Sequence, residues 1–335
     1  MRNDDGYRLE GSRFKVQRLG TWNLRAWNLE PLIILGPTGT GKTEVAIEVA
    51  QRLDGEIISA DSRSFYKGLE LGTAKPTPKQ RRLVRHHLID IRPPEGRYDV
   101  MEFRRDVAQS IEGVREQARL PIIVGGSTLY IQALIGKIFP GPQADLSLRR
   151  RLLERPLEEL YIRLREIDPP AAQKINKNDR QRIVRALEVY ELTGRRLSDL
   201  WRESEPFPYR FLKIGLRMDR QALYRRLNAR VDRMIRSGLI AEARYLKGRL
   251  APEMVAYRTI GYEESFAYLE GKLSLAEAIA LIKRNTRRLA KRQMTFFKRI
   301  PDVRWIDVTG KAPTEVAEEI IGHIVPGSKV PGAKF

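Results

Sequence analysis

Short apolar runs alternate with amphipathic stretches in the first part of the chain. Strand-like runs cover residues 32–35, 56–61, 88–91 and 121–124. The intervening segments 44–50 and 101–119 carry apolar side chains at helical spacing, and Asp99 followed by Glu102 is typical of a helix start. Strands that alternate with helices indicate an α/β fold with a parallel sheet and helices on both faces.

The alternation stops near Pro140, and the chain then becomes helical and strongly basic. Strand character returns at residues 211–216 and again at 303–306. We therefore expect a helical insertion within an α/β core. The predicted division has an N-terminal extension at 1–29, a core at 30–139 and 211–325, the insertion at 140–210 and a tail at 326–335.

A late amphipathic stretch predicts a helix with many cations. Its apolar residues follow helical spacing and are expected to face the core: Leu275, Ile279, Ile282, Leu289 and Phe296. Its basic residues fall largely on other faces: Arg284, Arg287, Arg288, Lys291 and Lys298. The pattern alone fits an ordinary solvated face as well as a surface for a polyanion.

A glycine-rich loop joins the first predicted strand to the first predicted helix. It matches the G-x-x-x-x-G-K-T pattern over Gly36, Pro37, Thr38, Gly39, Thr40, Gly41, Lys42 and Thr43. Backbone N–H groups of such a loop surround phosphate oxygens, and the helix N-terminus adds a positive field. Lys42 supplies a charge for the outer phosphate, and the Thr43 hydroxyl is placed to ligate Mg²⁺. The predicted fold class is thus α/β, a P-loop parallel sheet flanked by helices, with a helical insertion domain.

The charge balance favours a polyanionic partner. Lys and Arg number 62 against 42 Asp and Glu, which gives a net charge of +20 and an isoelectric point near 10.2. No apolar run approaches the roughly 20 residues of a membrane helix, and the N-terminal segment lacks the pattern of a secretory signal. Without cysteine there is no disulfide framework and no thiolate metal site. We expect a cytoplasmic monomer with no membrane partner.

Asp61 closes the strand that follows the P-loop helix. Such an acid could hold Mg²⁺, as in nucleotide hydrolases, or act as a general base toward an acceptor bound across the crevice. In small P-loop transferases this position commonly faces the second substrate, so we favour the base. A kinase of a small metabolite stays open at this point.

Longer motifs resemble those of the tRNA dimethylallyltransferases, also called tRNA isopentenyltransferases, in order from about residue 32 to 306. The hallmark stretch begins with Asp61 and Ser62 and continues over residues 66–76. Further matches lie at residues 86–91, 124–127, 178–182, 185–188, 258–262 and 289–295. The chain has no cysteine for the zinc finger that some members carry, so it resembles the shorter, bacterial-type form.

The resemblance implies transfer of the dimethylallyl group of dimethylallyl diphosphate to N6 of the adenine 3′-adjacent to the anticodon, position 37 of tRNA. It implies that the P-loop binds this diphosphate rather than ATP, with Mg²⁺ as cofactor. By the same resemblance, Asp61 takes the N6 proton, Lys42 and Arg258 act on the diphosphate, and Ser127 orients the reactants. The implied partners are the tRNA anticodon stem-loop and dimethylallyl diphosphate.

The family motifs also imply a set of tRNA-contacting positions. These are Asp61, Ser62, Arg63, Ser64, Ser127, Arg149, Gln181, Arg182, Ile183, Val184, Arg185, Arg258, Lys291, Arg292 and Gln293. On residue pattern alone, the polar members are ordinary surface side chains. Ser127 departs from the family, which usually has Thr there. Serine keeps the hydroxyl and loses a methyl group.

Two other functions remain open to the sequence. A P-loop kinase of a small metabolite would turn over ATP and ignore tRNA, and it leaves the charge of +20 unexplained. A non-catalytic RNA-binding module leaves the combination of Lys42, Thr43 and Asp61 without a purpose.

Overall fold

The computed structural model describes residues 30–73 and 75–324. Its centre is one six-stranded sheet in which every pair of neighbouring strands is parallel, in the order β3-β2-β4-β1-β5-β6. The strands are β1 (Leu32–Leu35), β2 (Gly55–Ser59), β3 (His86–His87), β4 (Leu120–Gly125), β5 (Leu212–Arg217) and β6 (Val303–Asp307). The predicted parallel α/β class is confirmed.

The central strand β1 is apolar at every position because both of its faces are covered. Ile33 and Leu35 belong to the apolar core on one face of the sheet, and Leu32 and Ile34 belong to the core on the other. All four side chains are at most 1% exposed. A strand buried on both faces reads as a continuous apolar run, which is why the sequence predicts it directly.

Helices cover both faces of the sheet. One face packs against α1 (Lys42–Arg52) and α14 (Pro313–Ile324). The other face packs against the helices α3 (Val100–Glu116), α4 (Thr128–Ile135), α10 (Arg220–Arg236), α11 (Leu239–Lys247), α12 (Tyr262–Leu269) and α13 (Leu275–Phe297). The short helix α2 (Pro78–Leu83) follows a long irregular segment after β2. Within the described residues, no helix is long and apolar enough to cross a membrane.

Between α4 and β5 the chain forms helices only. These are α5 (Leu146–Glu154), α6 (Leu157–Ile167), α7 (Pro169–Lys174), α8 (Arg180–Thr193) and α9 (Leu197–Arg202). They enclose an apolar core of their own, in which Leu160 and Leu187 are fully buried. We call this segment, residues 146–202, the helical insertion. These helices fall within the range 140–210 predicted for the insertion, while the predicted extension 1–29 and tail 326–335 lie outside the described residues.

Two local predictions differ from the structure. Residues 88–91 are not a strand, because Leu88 and Asp90 adopt positive φ angles of 59° and 57° and the short strand β3 ends at His87. In α13, Ile282 is buried as expected, but Leu275 is 38% exposed at the start of the helix. The predicted start of α3 is confirmed, since Asp99 and Glu102 form a capping box.

Candidate active site

The sheet topology brings three loops together at the carboxyl ends of neighbouring strands. The P-loop follows β1, Asp61 follows β2, and Ser127 follows β4. Because β4 lies between β2 and β1, the chain reverses its direction of strand addition here. Ligands of open α/β sheets bind at such a switch point.

The P-loop has the strained glycine conformations that its motif requires. Gly39 and Gly41 have φ angles of 89° and 87°, in the left-handed region that other residues avoid. The Lys42 ammonium group folds back over the loop and donates to Pro37 O at 2.8 Å, and the Thr40 hydroxyl donates to the same oxygen at 3.0 Å. Two side chains of the loop thus bind to its own backbone at Pro37.

Asp61 is held at the first turn after β2. Its Oδ1 accepts from the backbone N–H of Arg63 at 3.0 Å, and its carbonyl oxygen accepts from the Ser64 hydroxyl at 2.8 Å. Ser64 is only 5% exposed and also shares a hydrogen bond with Ser59, 2.7 Å between the two hydroxyl oxygens. Ser64 therefore supports the turn that carries Asp61.

Ser127 ties the β4–α4 loop to the same turn. Its hydroxyl oxygen accepts from the backbone N–H of Ser62 at 2.9 Å and donates to the Ser62 hydroxyl at 3.1 Å. Both interactions need only the hydroxyl group, so serine can make them without the methyl group of threonine. Ser127 thus fixes the position of the segment next to Asp61.

Gln293 reaches the site from α13. Its Oε1 accepts from the backbone N–H of Thr38 at 2.8 Å, and its Nε2 donates to Gly126 O at 2.7 Å. The side chain joins the P-loop to the β4–α4 loop and is only 7% exposed.

Arg230 of α10 is a site residue that sequence reasoning missed. Its guanidinium group donates to the Thr38 hydroxyl at 3.2 Å, which places a second cation beside Lys42 at the P-loop. Within the described residues, neither Arg230 nor Lys42 has an acidic oxygen within 4.0 Å, although Asp61 and Glu44 are close enough to attract them. Five other arginines lie on α10, and the sequence pattern does not distinguish Arg230 from them.

The electrostatics of this cluster favour an anionic ligand. The pKa of Lys42 is lowered from 10.5 to about 8, mainly by burial and in part by the charge of Arg230, while Asp61 and Glu44 oppose the change. Burial likewise lowers the pKa of Arg230. Two cations that are poorly solvated and close together are stabilised by a bound phosphate group.

Asp61 lies where two cavities meet. A cleft of 1120 Å³ separates the sheet from the helical insertion, and a smaller pocket of 70 Å³ contains Lys42 and Thr43. Asp61 and Gly126 line both cavities. The cleft brings together many of the predicted site residues, namely Thr38, Asp61, Ser62, Arg63, Ser127, Arg149, Arg185, Arg258, Arg292 and Gln293.

The insertion contributes two arginines to the far wall of the cleft, Arg149 from α5 and Arg185 from α8. Arg149 donates from Nε and Nη2 to the Glu188 carboxylate at 2.8 and 2.9 Å, and Arg185 donates to it from Nη1 at 2.6 Å. Glu188 is fully buried. One carboxylate thus orients two cations, and the group of three keeps a net positive charge.

The remaining predicted tRNA-contacting residues do not line the cleft, and some of them are exposed whereas others are buried. Gln181 and Arg182 are exposed at the start of α8 but do not line the cleft, whereas the side chains of Ile183 and Val184 are buried in the insertion core. Ile183 and Val184 therefore present no side chain to a ligand. Lys291 is exposed on α13, outside the cleft lining.

Arg258 and Arg63 both make contacts on the segment that precedes α12. Arg258 is exposed, and its Nε donates to Pro252 O at 2.8 Å. The Arg63 guanidinium donates to Val255 O at 3.1 Å. In this arrangement the cation that contacts the P-loop is Arg230, while Arg258 lies on the cleft wall.

The site supplies only a few possible ligands for Mg²⁺. Thr43 stands at the start of α1 and lines the small pocket together with Asp61. Within the described residues, no group of three or more His, Cys, Asp or Glu side chains could hold a metal ion. A hydroxyl and one carboxylate fit a Mg²⁺ ion that takes most of its ligands from substrate phosphates and water.

Comparisons with known proteins identify the family. The model of the IPP transferase family (IPPT) matches residues 64–300. The tRNA dimethylallyltransferase of Pelotomaculum thermopropionicum is 47% identical over 299 residues, which cover 87% of this chain and 95% of the relative. That of Thermotoga maritima is 43% identical over 302 residues, covering 89% of this chain and 99% of the relative.

Two solved structures are similar to the whole described fold. The full-length tRNA isopentenylpyrophosphate transferase of Bacillus halodurans has a TM-score of 0.66 and 39% identity, and the match covers 88% of this chain and 97% of that one. A eukaryotic dimethylallyltransferase acting on tRNA has a TM-score of 0.73 and 27% identity, with 88% and 79% covered. This chain therefore belongs to the tRNA dimethylallyltransferase family of enzymes.

Proposed function

We propose that this enzyme transfers the dimethylallyl group from dimethylallyl diphosphate to N6 of adenine 37 in tRNA. The observation that carries the proposal is the position of Asp61, which lies where the large cleft meets the P-loop pocket. A base at that junction can reach an acceptor in the cleft and the carbon attached to a diphosphate in the P-loop. The family membership of the chain supports the same reaction.

The diphosphate occupies the P-loop in this proposal. Loop N–H groups, Lys42 and Arg230 stabilise the charge that grows on the leaving oxygen as the allylic C–O bond breaks. Arg230 takes the role that the family resemblance implies for Arg258, because its guanidinium group contacts Thr38 of the loop. Thr43 would hold Mg²⁺, with Asp61 within reach. The ion would add further positive charge at the diphosphate.

The acceptor adenine enters from the cleft. Its N6 lone pair forms the new bond to the allylic carbon, the C–O bond electrons leave with diphosphate, and the N6 proton passes to Asp61. The Arg63 N–H and the turn closed by Ser64 hold this carboxylate in place. The reaction thus yields N6-isopentenyladenosine and diphosphate, and it needs no phosphoryl transfer.

The tRNA anticodon loop lies between the core and the helical insertion in this proposal. Extruding one base from the loop stack costs a few kcal/mol, which contacts to the loop backbone must offset. Arg149, Arg185, Arg258 and Arg292 line the cleft and provide cations for these contacts. We further propose that the enzyme acts as a monomer, since each of these residues belongs to one chain.

The test is label transfer from dimethylallyl diphosphate, with Mg²⁺, to unmodified tRNA, run beside an ATP-turnover assay. We expect label on adenine 37 and no ATP consumption. A tRNA with guanine at position 37 is the matched control, because it lacks the N6 amine and should stay unlabelled. Consumption of ATP without label on tRNA would replace this proposal by a small-metabolite kinase.

A further inference from the structure

Gln293 lies on α13, and its amide group stands between the P-loop and the β4–α4 loop. Both Gln293 and its neighbour Arg292 line the cleft, but Arg292 is exposed whereas Gln293 is only 7% exposed. Family motifs place both residues in one tRNA-contacting run. The structure separates them, because only the arginine presents its charged group to solvent.

Both ends of the Gln293 amide are already used by the protein. The oxygen accepts from the Thr38 N–H at 2.8 Å and the nitrogen donates to Gly126 O at 2.7 Å. An uncharged amide accepts at one end and donates at the other without placing a charge beside the P-loop. Its partners are backbone atoms of two loops that are far apart in sequence.

The two loops lie close together at this amide. A Cβ atom on Gly126 would lie 2.9 Å from Gln293 Nε2, 3.3 Å from Gly36 O and 3.6 Å from the Lys42 ammonium group. The β4–α4 loop therefore packs directly on the P-loop, and the Gln293 amide spans the remaining gap. The same loop continues to Ser127, which contacts the segment beside Asp61.

We propose that Gln293 is a positioning residue that clamps the P-loop against the β4–α4 loop, and that it is not a tRNA contact. The clamp keeps the diphosphate-binding N–H groups and Lys42 in fixed relation to the Asp61 turn. This inference rests on the proposed function, since it names the diphosphate as the ligand whose binding depends on the clamp. The Arg230 guanidinium group also donates to the Thr38 hydroxyl, so Thr38 is held through both its backbone N–H and its side chain.

The first experiment compares Gln293→Met with Gln221→Met in the full-length enzyme. Methionine keeps the length of the side chain and removes both hydrogen bonds, and Gln221 is exposed on α10, away from the site. For Gln293→Met we expect the KM for dimethylallyl diphosphate to rise about tenfold or more, with the Kd for tRNA within about twofold of wild type. A tenfold loss of tRNA affinity with an unchanged diphosphate KM would overturn the proposal, and so would no change in either.

A second variant tests the clamp from its other side. Gly126→Ala places a methyl group against the Gln293 amide, so it should weaken diphosphate binding by itself. If both residues act through one contact, the double variant should be little worse than the more damaging single variant. Full additivity of the two effects on the diphosphate KM would contradict a shared clamp.

Binding of inorganic diphosphate with Mg²⁺, measured by calorimetry, separates this inference from the proposed function. If the wild-type enzyme binds diphosphate but transfers no label to tRNA, the proposed function fails. In that case, weaker diphosphate binding by Gln293→Met still supports the clamp, and equal binding overturns it. Circular dichroism and the thermal midpoint of each variant confirm that it is folded before its binding is compared.

Discussion

At the scale of single residues, Asp61 decides whether the site performs base catalysis. Asp61→Asn keeps an oxygen that can accept from the Arg63 N–H, so the turn should stay in place. It removes the proton acceptor, and we expect kcat to fall by about 10²–10⁴. The KM for dimethylallyl diphosphate should stay equal or decrease, because a negative charge near the diphosphate is lost.

Single-turnover label transfer at saturating tRNA measures this effect. Filter binding of the same variant to tRNA is the control, and it should match wild type within about twofold. A near-normal rate would remove Asp61 from the mechanism. A normal rate restored only at high Mg²⁺ would assign Asp61 to metal binding instead.

Residues of the site differ in how far the sequence predicts them. The P-loop and Asp61 follow from local pattern, because a glycine turn between strand and helix and an acid at a strand end have few other uses. Arg230 and the contacts of Gln293 do not, since both depend on which way a helical side chain points after packing. An arginine among five others on α10 becomes special only when the helix is placed against the P-loop.

At the scale of secondary-structure elements, the insertion presents its cations through Glu188. This buried carboxylate holds Arg149 and Arg185 at the cleft wall. Glu188→Gln removes one negative charge near the proposed RNA path, so simple charge counting predicts tighter tRNA binding. If the two arginines lose their orientation, tRNA binding should instead weaken. We expect orientation to dominate and the tRNA Kd to rise by about tenfold, roughly 1.4 kcal/mol.

Filter binding at fixed salt decides the sign of this effect. Glu166→Gln removes one negative charge from an exposed position of α6 and is the matched control, which should bind tRNA equally or slightly more tightly. Tighter binding by Glu188→Gln would show that the buried carboxylate only reduces the positive charge of the wall. Stability of the insertion should be measured alongside, because two arginines lose their common partner.

The sheet contains a second buried carboxylate, Glu56 of β2. It is 1% exposed and accepts hydrogen bonds from His87 and from the Arg119 guanidinium. Burial alone would raise the pKa of Glu56, but these hydrogen bonds outweigh burial and hold the pKa below 4.5. A carboxyl group with a lowered pKa in the folded state stabilises the fold above the unfolded pKa, and it loses that contribution as pH falls through the folded pKa.

Glu56→Gln should therefore lower the free energy of unfolding by about 1–3 kcal/mol near pH 7. The difference from wild type should shrink as pH falls below 4.5 and through the lowered pKa of the folded state, where the wild-type carboxyl group becomes protonated. Urea unfolding at the two pH values measures both quantities. Glu116→Gln, at an exposed position of α3, is the control and should change neither. A pH-independent difference would mean that Glu56 acts by packing alone.

Elements differ in predictability for physical reasons. Buried parallel strands and the capping box of α3 are encoded locally, so their positions follow from the sequence. Residues 88–91 are apolar enough to suggest a strand, but the Asp90 carboxylate pairs with Lys75 and Arg81, and the backbone turns to allow it. Such pairing joins Asp90 to side chains 15 and 9 residues earlier in the chain, and the apolar pattern of residues 88–91 does not report it.

At the scale of the whole molecule, exposed cations beside the cleft differ from those on the opposite face of the sheet in their acidic partners. Lys291 and Arg292 are exposed on α13, and within the described part of the chain neither has an acidic partner within 4.0 Å. On the opposite face, Arg52 and Lys311 are paired with Glu318 and Glu319. Unpaired cations beside the cleft are available to phosphates, whereas paired ones are partly neutralised.

The double variant Lys291→Ala/Arg292→Ala should weaken tRNA binding and flatten its dependence on salt. Each phosphate contact contributes about one counterion to the slope of log K against log salt, so the slope should become shallower by about 2 if both residues bind phosphates. Arg52→Ala/Lys311→Ala removes the same charge from the opposite face and is the matched control. If net charge alone attracts tRNA, both double variants flatten the slope equally. A change confined to Lys291 and Arg292 would place the RNA backbone along α13, next to the cleft that contains Asp61.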